Sequence, residues 1–216
     1  MERDPADRRS PSLAPEHDWA AASSLIHPSF RPVGTRGIDG LSLRVPTGGG
    51  APGDPLIKVG PAGIPITYVI PAPGFDVLVG AEHLMSWGVG PEKVHEAAMA
   101  NLAAWSSATT WVDEVDGQRR VLWSDSGEGM DAARILLTDV RVKLSSELTP
   151  AQRVLVGLPE RDLLIAAGLA EGDEEFADMF ADYVADRSRG ADEPIDEHVF
   201  ELVAGELVPL RALSRA

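Results

Sequence analysis

Apolar residues recur every three to four positions in three stretches of this chain, which is the spacing of helices that bury one face. The stretches cover residues 91–105, 127–144 and 171–187. Pro91 stands where a first helical residue belongs. The positions expected to face the core are Val94, Ala98, Leu102 and Trp105 in the first helix, Met130, Ala133, Leu137, Val140 and Leu144 in the second, and Phe176, Met179, Phe180, Tyr183 and Val184 in the third. A shorter helix is predicted over residues 14–26, ending before Pro28.

Between these helices the pattern changes to short runs rich in Val, Ile, Leu, Tyr and Phe, separated by Pro and Gly, which favours strands. The runs occupy residues 55–60, 64–70, 75–79, 109–115, 120–124, 153–167 and 198–210. Asp116-Gly117 marks a hairpin turn, and residues 45–55 are predicted to form a Gly/Pro loop.

Short turns join most of the strand pairs, so these pairs should be antiparallel. The chain is therefore predicted to be an α+β protein, with a mainly antiparallel sheet and about three helices packed on it. Residues 15–216 should form a single domain. Residues 1–14 mix both charges with proline and lack apolar periodicity, so a disordered tail is predicted there.

Charge and composition narrow the classes of partner. The formal net charge is −15, and an acidic surface repels nucleic acid and anionic lipid, so we expect neither as a partner. The chain contains no cysteine, which excludes disulfides, thiolate metal ligands and cysteine nucleophiles. The first residues lack the apolar stretch of a signal peptide, and no apolar run approaches the roughly 18 residues that span a bilayer. We expect a cytoplasmic protein, and its oligomeric state stays open.

The motifs that resemble catalytic or metal-binding signatures are incomplete. "HEAAM" at 95–99 lacks the second histidine that a zincin helix presents to its metal. "SDSGEG" at 124–129 contains Asp-Ser-Gly, but the chain has too little β-structure for the double barrel of that protease class. "GGG" at 48–50 and "GVG" at 88–90 lack the residues that would make them phosphate or dinucleotide loops. No metal and no cofactor is therefore expected.

Acidic residues are concentrated between Glu171 and Glu201, where twelve acids accompany two arginines. Asp178, Asp182 and Asp186 recur at every fourth position and should share one face of the third helix. Two interpretations stay open for this row. It is either a solvated face that keeps the protein in solution or a docking face for a basic protein partner.

Four polar residues stand where the apolar pattern leads us to expect buried positions: Asn101, Arg134, Arg161 and Asp162. A buried polar group without a partner costs about 1–3 kcal/mol, so these groups should be satisfied. In one interpretation Asn101 caps backbone groups and Arg161 pairs with a carboxylate to lock the bend of its hairpin. In the other they line a pocket that takes an anionic group.

Several short stretches follow one another in a recognisable order over about residues 55–210: "TYVI", "VLV", "AEHL", "SWG", "EKVHEAAMANL", "GMDAARILL", "VLVGLPERDLLIAA" and "HVFELVAGELVPL". Their order and spacing resemble the YtpQ-type family of bacterial proteins, whose function is unknown. The resemblance implies that recurrent polar positions of the family fall on His95, Asn101, Arg134, Arg161 and Asp162. It implies no activity, and the first fifty residues and the acidic tract depart from the family pattern.

Two functional hypotheses follow. The chain is either a non-enzymatic interaction or regulatory module with an acidic docking helix, or a small hydrolase-type enzyme. The first agrees with the incomplete catalytic motifs and with the acidic row. The second would use Asp162 or His95 in a pocket positioned by Arg134 and Arg161.

Overall fold

The structure is a computed structural model, and it describes residues 17–30, 55–72, 75–148 and 153–210. The tail predicted at 1–14 and the Gly/Pro loop up to residue 54 lie outside the described residues. Among the described helices, none combines the length and the apolar character needed to cross a membrane.

Ten strands in the described part form two antiparallel sheets, which confirms the α+β prediction. The smaller sheet contains β1 (His27–Phe30), β2 (Lys58–Val59), β3 (Pro65–Ala72) and β4 (Phe75–Leu78). The larger sheet has the order β10-β9-β7-β8-β6-β5. Its strands are β5 (Val112–Asp116), β6 (Arg119–Ser124), β7 (Arg153–Glu160), β8 (Leu163–Leu169), β9 (Val199–Val203) and β10 (Glu206–Pro209). The division into two sheets was not predicted from the sequence.

The helices are α1 (Trp19–Ala22), α2 (Ala81–Trp87), α3 (Pro91–Ala108), α4 (Thr138–Glu147) and α5 (Glu174–Gly190), with 3-10 turns at Pro61–Gly63 and Ala132–Leu136. A short helix lies within the predicted stretch 14–26 and ends before Pro28, but it is shorter than predicted, because α1 stops at Ala22 and β1 begins at His27. Residues 14–16 lie outside the described part of the chain. Pro28 lies inside β1. Among the described strands β1 pairs with β3 alone, so it is an edge strand, where a missing N–H is tolerated.

The prediction of one continuous helix over 127–144 was also wrong. Residues Ala132–Leu136 form a 3-10 turn, and Leu137 then adopts an extended conformation (φ −80°, ψ 130°) before α4 begins. Gly127 and Gly129 have positive φ angles, and the side chain of Arg134 is drawn inward to the carbonyls of Ser106 and Thr109. These tertiary contacts outweigh the helical spacing of the apolar residues.

Two cores lie on opposite faces of the larger sheet. On one face, α5 packs its buried Phe176, Phe180 and Val184 against β7 and β8. On the other face, the strands share a core with α3, the 132–136 turn, α4 and the smaller sheet. Polar residues of the smaller sheet and of the β7–β8 bend meet at one edge of this second core.

Helix α5 approaches the larger sheet closely because β7 carries a glycine beneath it. A Cβ on Gly157 would lie 2.5 Å from Cγ2 of Val184 and 3.0 Å from Cγ2 of Ile165. The prediction that the whole α5 stripe faces the core was wrong for Met179 and Tyr183, which are 51% and 45% exposed. The helix packs over β7 and β8, so its flank beside β5 and β6 stays uncovered.

Candidate functional site

A cavity of about 740 Å³ lies between the smaller sheet, the 127–129 loop and the β7–β8 bend, and we call it the inter-sheet cavity. Its polar lining residues are Ser29, Thr67, Asp76, Glu128, Arg161, Asp162 and Glu193. Its apolar lining residues are Phe30, Val69, Ala72, Phe75 and Leu78.

Strand register explains why one wall of this cavity is polar. Ser29 faces Thr67 across the β1–β3 pair, and Asp76 faces Pro71 across the β3–β4 pair. Side chains alternate between the two faces of a strand, so these residues share the face opposite to Tyr68 and Ile70, which enter the core. The polar face of the smaller sheet therefore becomes the wall of the cavity.

Arg161 connects three distant segments at the β7–β8 bend. Its guanidinium donates to Oδ2 of Asp76 at 2.5 Å and to Oε2 of Glu193 at 2.5 Å. The side chain is 19% exposed. Burial acts to lower the pKa of Arg161, but the bonds to Glu193 and Asp76 outweigh it and the net shift is upward. The prediction that Arg161 is largely buried and bonded to a carboxylate is confirmed, but its buried Nε has no partner among the described residues, so the guanidinium is not fully satisfied.

Asp162 fastens a loop to the same bend. Its Oδ1 accepts a hydrogen bond from the backbone N–H of Gly129, and the N–H of Ala132 donates to the carbonyl of Arg161 at 3.0 Å. Gly129 has a φ of 75°, and a Cβ there would lie 2.7 Å from Nη2 of Arg161. A side chain at 129 would therefore be strained and would push the arginine away from its carboxylates.

Arg134 lies in the core rather than on the cavity wall. It is 1% exposed, and its guanidinium donates to Oγ of Ser106 at 2.9 Å and to Oγ of Ser124 at 2.6 Å. Its Cζ lies 4.1 Å from the ring centroid of Trp111. Burial lowers the pKa of Arg134, although the charge of Asp131 opposes this effect. The arginine thus has the contacts of a buried structural brace.

His95 and Asn101 also lie apart from the cavity. His95 Nδ1 is 2.9 Å from the hydroxyl of Tyr68, and burial lowers the pKa of this imidazole. Asn101 Nδ2 donates to the carbonyls of Ser23 and Ile26 at 2.9 and 2.8 Å. The interpretation that Asn101 caps backbone groups is confirmed, and its partners are the carbonyls that end α1 and precede β1.

The inter-sheet cavity is lined by hydroxyl and carboxylate groups of the kinds that enzymes use. Among the described residues, however, its hydroxyl groups lack the hydrogen bonds that would activate them as nucleophiles. The hydroxyl of Ser29 donates to the carbonyl of Phe30, and the hydroxyl of Thr67 donates to the carbonyl of Ser29. Within residues 17–30, 55–72, 75–148 and 153–210, neither hydroxyl bonds to a carboxylate or an imidazole, as a nucleophile requires. Among the described lining residues, four carboxylates accompany one guanidinium, so the charge of these residues opposes an anionic ligand. No group of three metal-ligating side chains occurs among the described residues.

The second candidate surface lies on α5. Asp178, Asp182 and Asp186 are all exposed, as expected for one outward row, and we call them the acidic row. Beside them is a groove of about 260 Å³, called the α5–β6 groove. It is lined by Glu114, Val121, Trp123, Ile165, Phe176, Met179, Phe180 and Tyr183.

This groove was not predicted from the sequence, because helical spacing does not show which strands of a sheet the helix will cover. Met179 and Tyr183 were assigned to the core by their spacing alone. A usable signal was the width of the apolar stripe, which exceeds what the two strands β7 and β8 can cover. Trp123 gives a second signal, because β6 places a large aromatic side chain close to the edge strand β5.

Comparison with known proteins gives no significant match to a family model, to a curated protein or to a solved structure. The resemblance to the YtpQ-type family stays a prediction. The functional argument therefore depends on the geometry of the two candidate surfaces.

Proposed function

We propose that this chain is a non-enzymatic interaction module that binds a basic protein partner through α5. The observation that carries the proposal is the exposure of the acidic row on a helix whose opposite side is anchored in the core. Phe176, Phe180 and Val184 fix the helix in place, so the carboxylates are held in a constant arrangement. A fixed array of like charges attracts a basic surface without first paying for its own ordering.

The energetics favour collective action by the row. A single exposed ion pair contributes about 0–1 kcal/mol and is screened by salt. Carboxylates at adjacent turns repel each other by a few tenths of a kcal/mol per pair. Asp186 is bonded to Arg189, which offsets part of this repulsion in the free protein, and a basic partner would offset more of it.

The inter-sheet cavity supports the enzyme hypothesis less well. Arg161 and Asp162 reach it, but Arg134 and His95 do not line it. The carboxylates of Asp76 and Glu193 are bonded to Arg161 and so are less available as a general base. These contacts support a bracing role for Arg161 and Asp162.

The test replaces the row and leaves the rest of the surface unchanged. The variant Asp178→Asn, Asp182→Asn and Asp186→Asn should melt at the parent's temperature or higher, because like-charge repulsion is removed. It should capture less of a basic Lys-rich peptide in a binding titration, and high salt should weaken capture by the parent in the same way.

The matched control is Asp192→Asn, Glu197→Gln and Glu206→Gln, which makes the same change in net charge at exposed acids outside α5. This control should bind the peptide nearly as well as the parent does. The proposal is wrong if the two triple variants bind the peptide equally, because net charge rather than the row would then decide binding.

A further inference from the structure

The floor of the α5–β6 groove is apolar and open to solvent. Val121 and Trp123 are half-buried. They lie on the same face of the larger sheet as α5, which covers this face over the neighbouring strands β7 and β8. Val112, opposite Trp123 in the β5–β6 pair, is also exposed. Together with Met179 and Tyr183, these side chains form one contiguous apolar surface beside α5, over the strands β5 and β6 that the helix does not cover. Apolar surface gathered in one groove marks an interaction site more often than scattered exposed residues do.

The rim on the strand side is acidic. Glu114 faces Val121 and Asp116 faces Arg119 across the β5–β6 pair. Alternation along β5 places Glu114 and Asp116 on the same face as Val112, beside the groove. Asp116 lies at the end of the strand, next to the hairpin turn.

The rim on the helix side is acidic too. Asp182 lies three residues beyond Met179, and Asp186 lies three beyond Tyr183, so both carboxylates neighbour the apolar rim on the helix surface. Glu175 lies four residues before Met179 and extends the same rim.

Among the described residues, a basic side chain beside the groove is already paired, and Asp186 on the helix rim is bonded to Arg189. Arg119 makes a two-pronged bond to Asp173, at 2.9 and 2.7 Å, and its Cζ lies 5.0 Å from the ring centroid of Phe176. The pairing raises the pKa of Arg119 and lowers that of Asp173. The groove therefore combines an apolar floor with net negative charge on both rims.

We infer that the α5–β6 groove binds a segment of a partner protein that carries a large apolar side chain flanked by Lys or Arg. The inference rests on the proposed function and specifies the partner's chemistry. The apolar side chain removes the groove floor from water, and the flanking cations meet the carboxylates on either side. A purely apolar segment would desolvate the rim carboxylates without pairing them, and a purely polar one would leave the floor wet.

A second copy of this chain is a poor occupant of the groove. With a net charge of −15 it would bring like charge toward two acidic rims. A nucleic acid is opposed by the same field. The charge of the rims thus selects a basic segment from the possible occupants.

The test uses two short Lys-rich peptides of equal charge, one with a central Phe and one with Ser in its place. The parent should bind the Phe peptide about tenfold more tightly or better, since tenfold corresponds to about 1.4 kcal/mol and a buried aromatic side chain supplies that much. Met179→Ala with Tyr183→Ala should abolish this preference and keep the weaker, salt-dependent binding that both peptides share.

Two control variants distinguish loss of the groove contact from general destabilisation of the protein. Met85→Ala with Val142→Ala removes exposed apolar side chains elsewhere and should keep the full preference. Tyr183→Phe keeps the aromatic ring and should also keep the preference for the Phe peptide. The Phe peptide should also shift the NMR signal of one indole, identified as the one that disappears in Trp123→Phe.

The outcomes distinguish the inference from the proposed function. If both peptides bind the parent equally and the triple Asn variant weakens both, the docking function stands and the groove inference is overturned. If the preference for Phe survives in Met179→Ala with Tyr183→Ala, the apolar contact lies elsewhere and the inference is again overturned. If neither peptide binds the parent, both ideas fail.

Discussion

Arg161 holds together segments that are far apart in the chain. Asp76 is 85 positions away and Glu193 is 32 positions away. Neither carboxylate is fully buried, so each bond is weaker than a buried ion pair would be. The arginine itself is largely buried, and this makes its own replacement costly.

Replacing Arg161 with Ala should lower the free energy of unfolding by about 2–3 kcal/mol, because Asp76 loses its partner in a half-buried position. Arg161→Lys should recover only part of this loss, since one ammonium cannot reproduce the two-pronged geometry of a guanidinium. Denaturant titrations of both variants measure the effect. Curves that overlay the parent's would show that the bend needs no brace.

Two half-buried histidines make stability depend on pH. Burial lowers the pKa of His27, against the opposing charges of Asp76 and Glu128. Burial and the charge of Lys58 lower the pKa of His95. As the pH falls below the unfolded value of about 6.5, the unfolded chain takes up protons that the folded chain resists. Their contribution to stability is therefore present above pH 6.5 and is lost as the pH falls through the folded pKa values.

We expect the free energy of unfolding to decrease from pH 7.5 toward pH 5, and His27→Gln with His95→Gln to reduce that slope. Chemical denaturation at a series of pH values measures it. A slope that is unchanged in the double variant would assign the pH dependence to the carboxylates instead.

At the scale of the elements, the contact between α5 and β7 depends on the missing side chain of Gly157. Gly157→Ala should destabilise the protein by about 1–3 kcal/mol, because the added methyl meets Val184, which is fully buried. The cost should be much smaller in a Val184→Ala background, where the methyl has room. A double-mutant cycle by chemical denaturation measures the coupling. Equal costs in both backgrounds would mean that strain in β7, and not contact with α5, is responsible.

Periodicity and turn chemistry predicted the elements whose pattern is local. The helix predicted at 91–105 is observed as Pro91–Ala108, and the hairpin at Asp116-Gly117 is observed between β5 and β6. The failures occur where distant contacts decide. Arg134 reaches carbonyls 28 and 25 positions away and breaks a helix that its apolar neighbours would otherwise continue.

For the candidate site, too, local features were predicted from the sequence and distant contacts were not. The requirement that a buried guanidinium be satisfied predicted that Arg161 binds a carboxylate, but nothing in the sequence identified Asp76 or Glu193 as its partners. The acidic row was predicted from spacing, and its exposure agrees. The α5–β6 groove was not predicted, although the wide apolar stripe of α5 and Trp123 were signals for it, because its position depends on how far α5 extends across the larger sheet.

At the scale of the whole molecule, the two cores have different roles: one contains polar contacts that stabilise the fold, and the other positions an exposed helix face. The core shared with the smaller sheet is braced by the buried Arg134 and the half-buried Asn101, and its Phe30 also lines the inter-sheet cavity. The core under α5 is apolar and positions a charged exterior. The exposed acidic row therefore lies on the side of the larger sheet that faces away from the smaller one.

The bonds at the β7–β8 bend also bear on how the molecule opens. The strand pairs within each sheet join residues that are closer together in the chain than Asp76 and Arg161, which connect the two sheets. Arg161 ties Asp76 of the smaller sheet to the hairpin of the larger one, so fluctuations that release the smaller sheet must break this ion pair. In amide hydrogen exchange, the two sheets of the parent should open together as one cooperative unit. Without the arginine, protection of β3 and β4 should fall below that of β7 and β8, and the molecule would open in two steps.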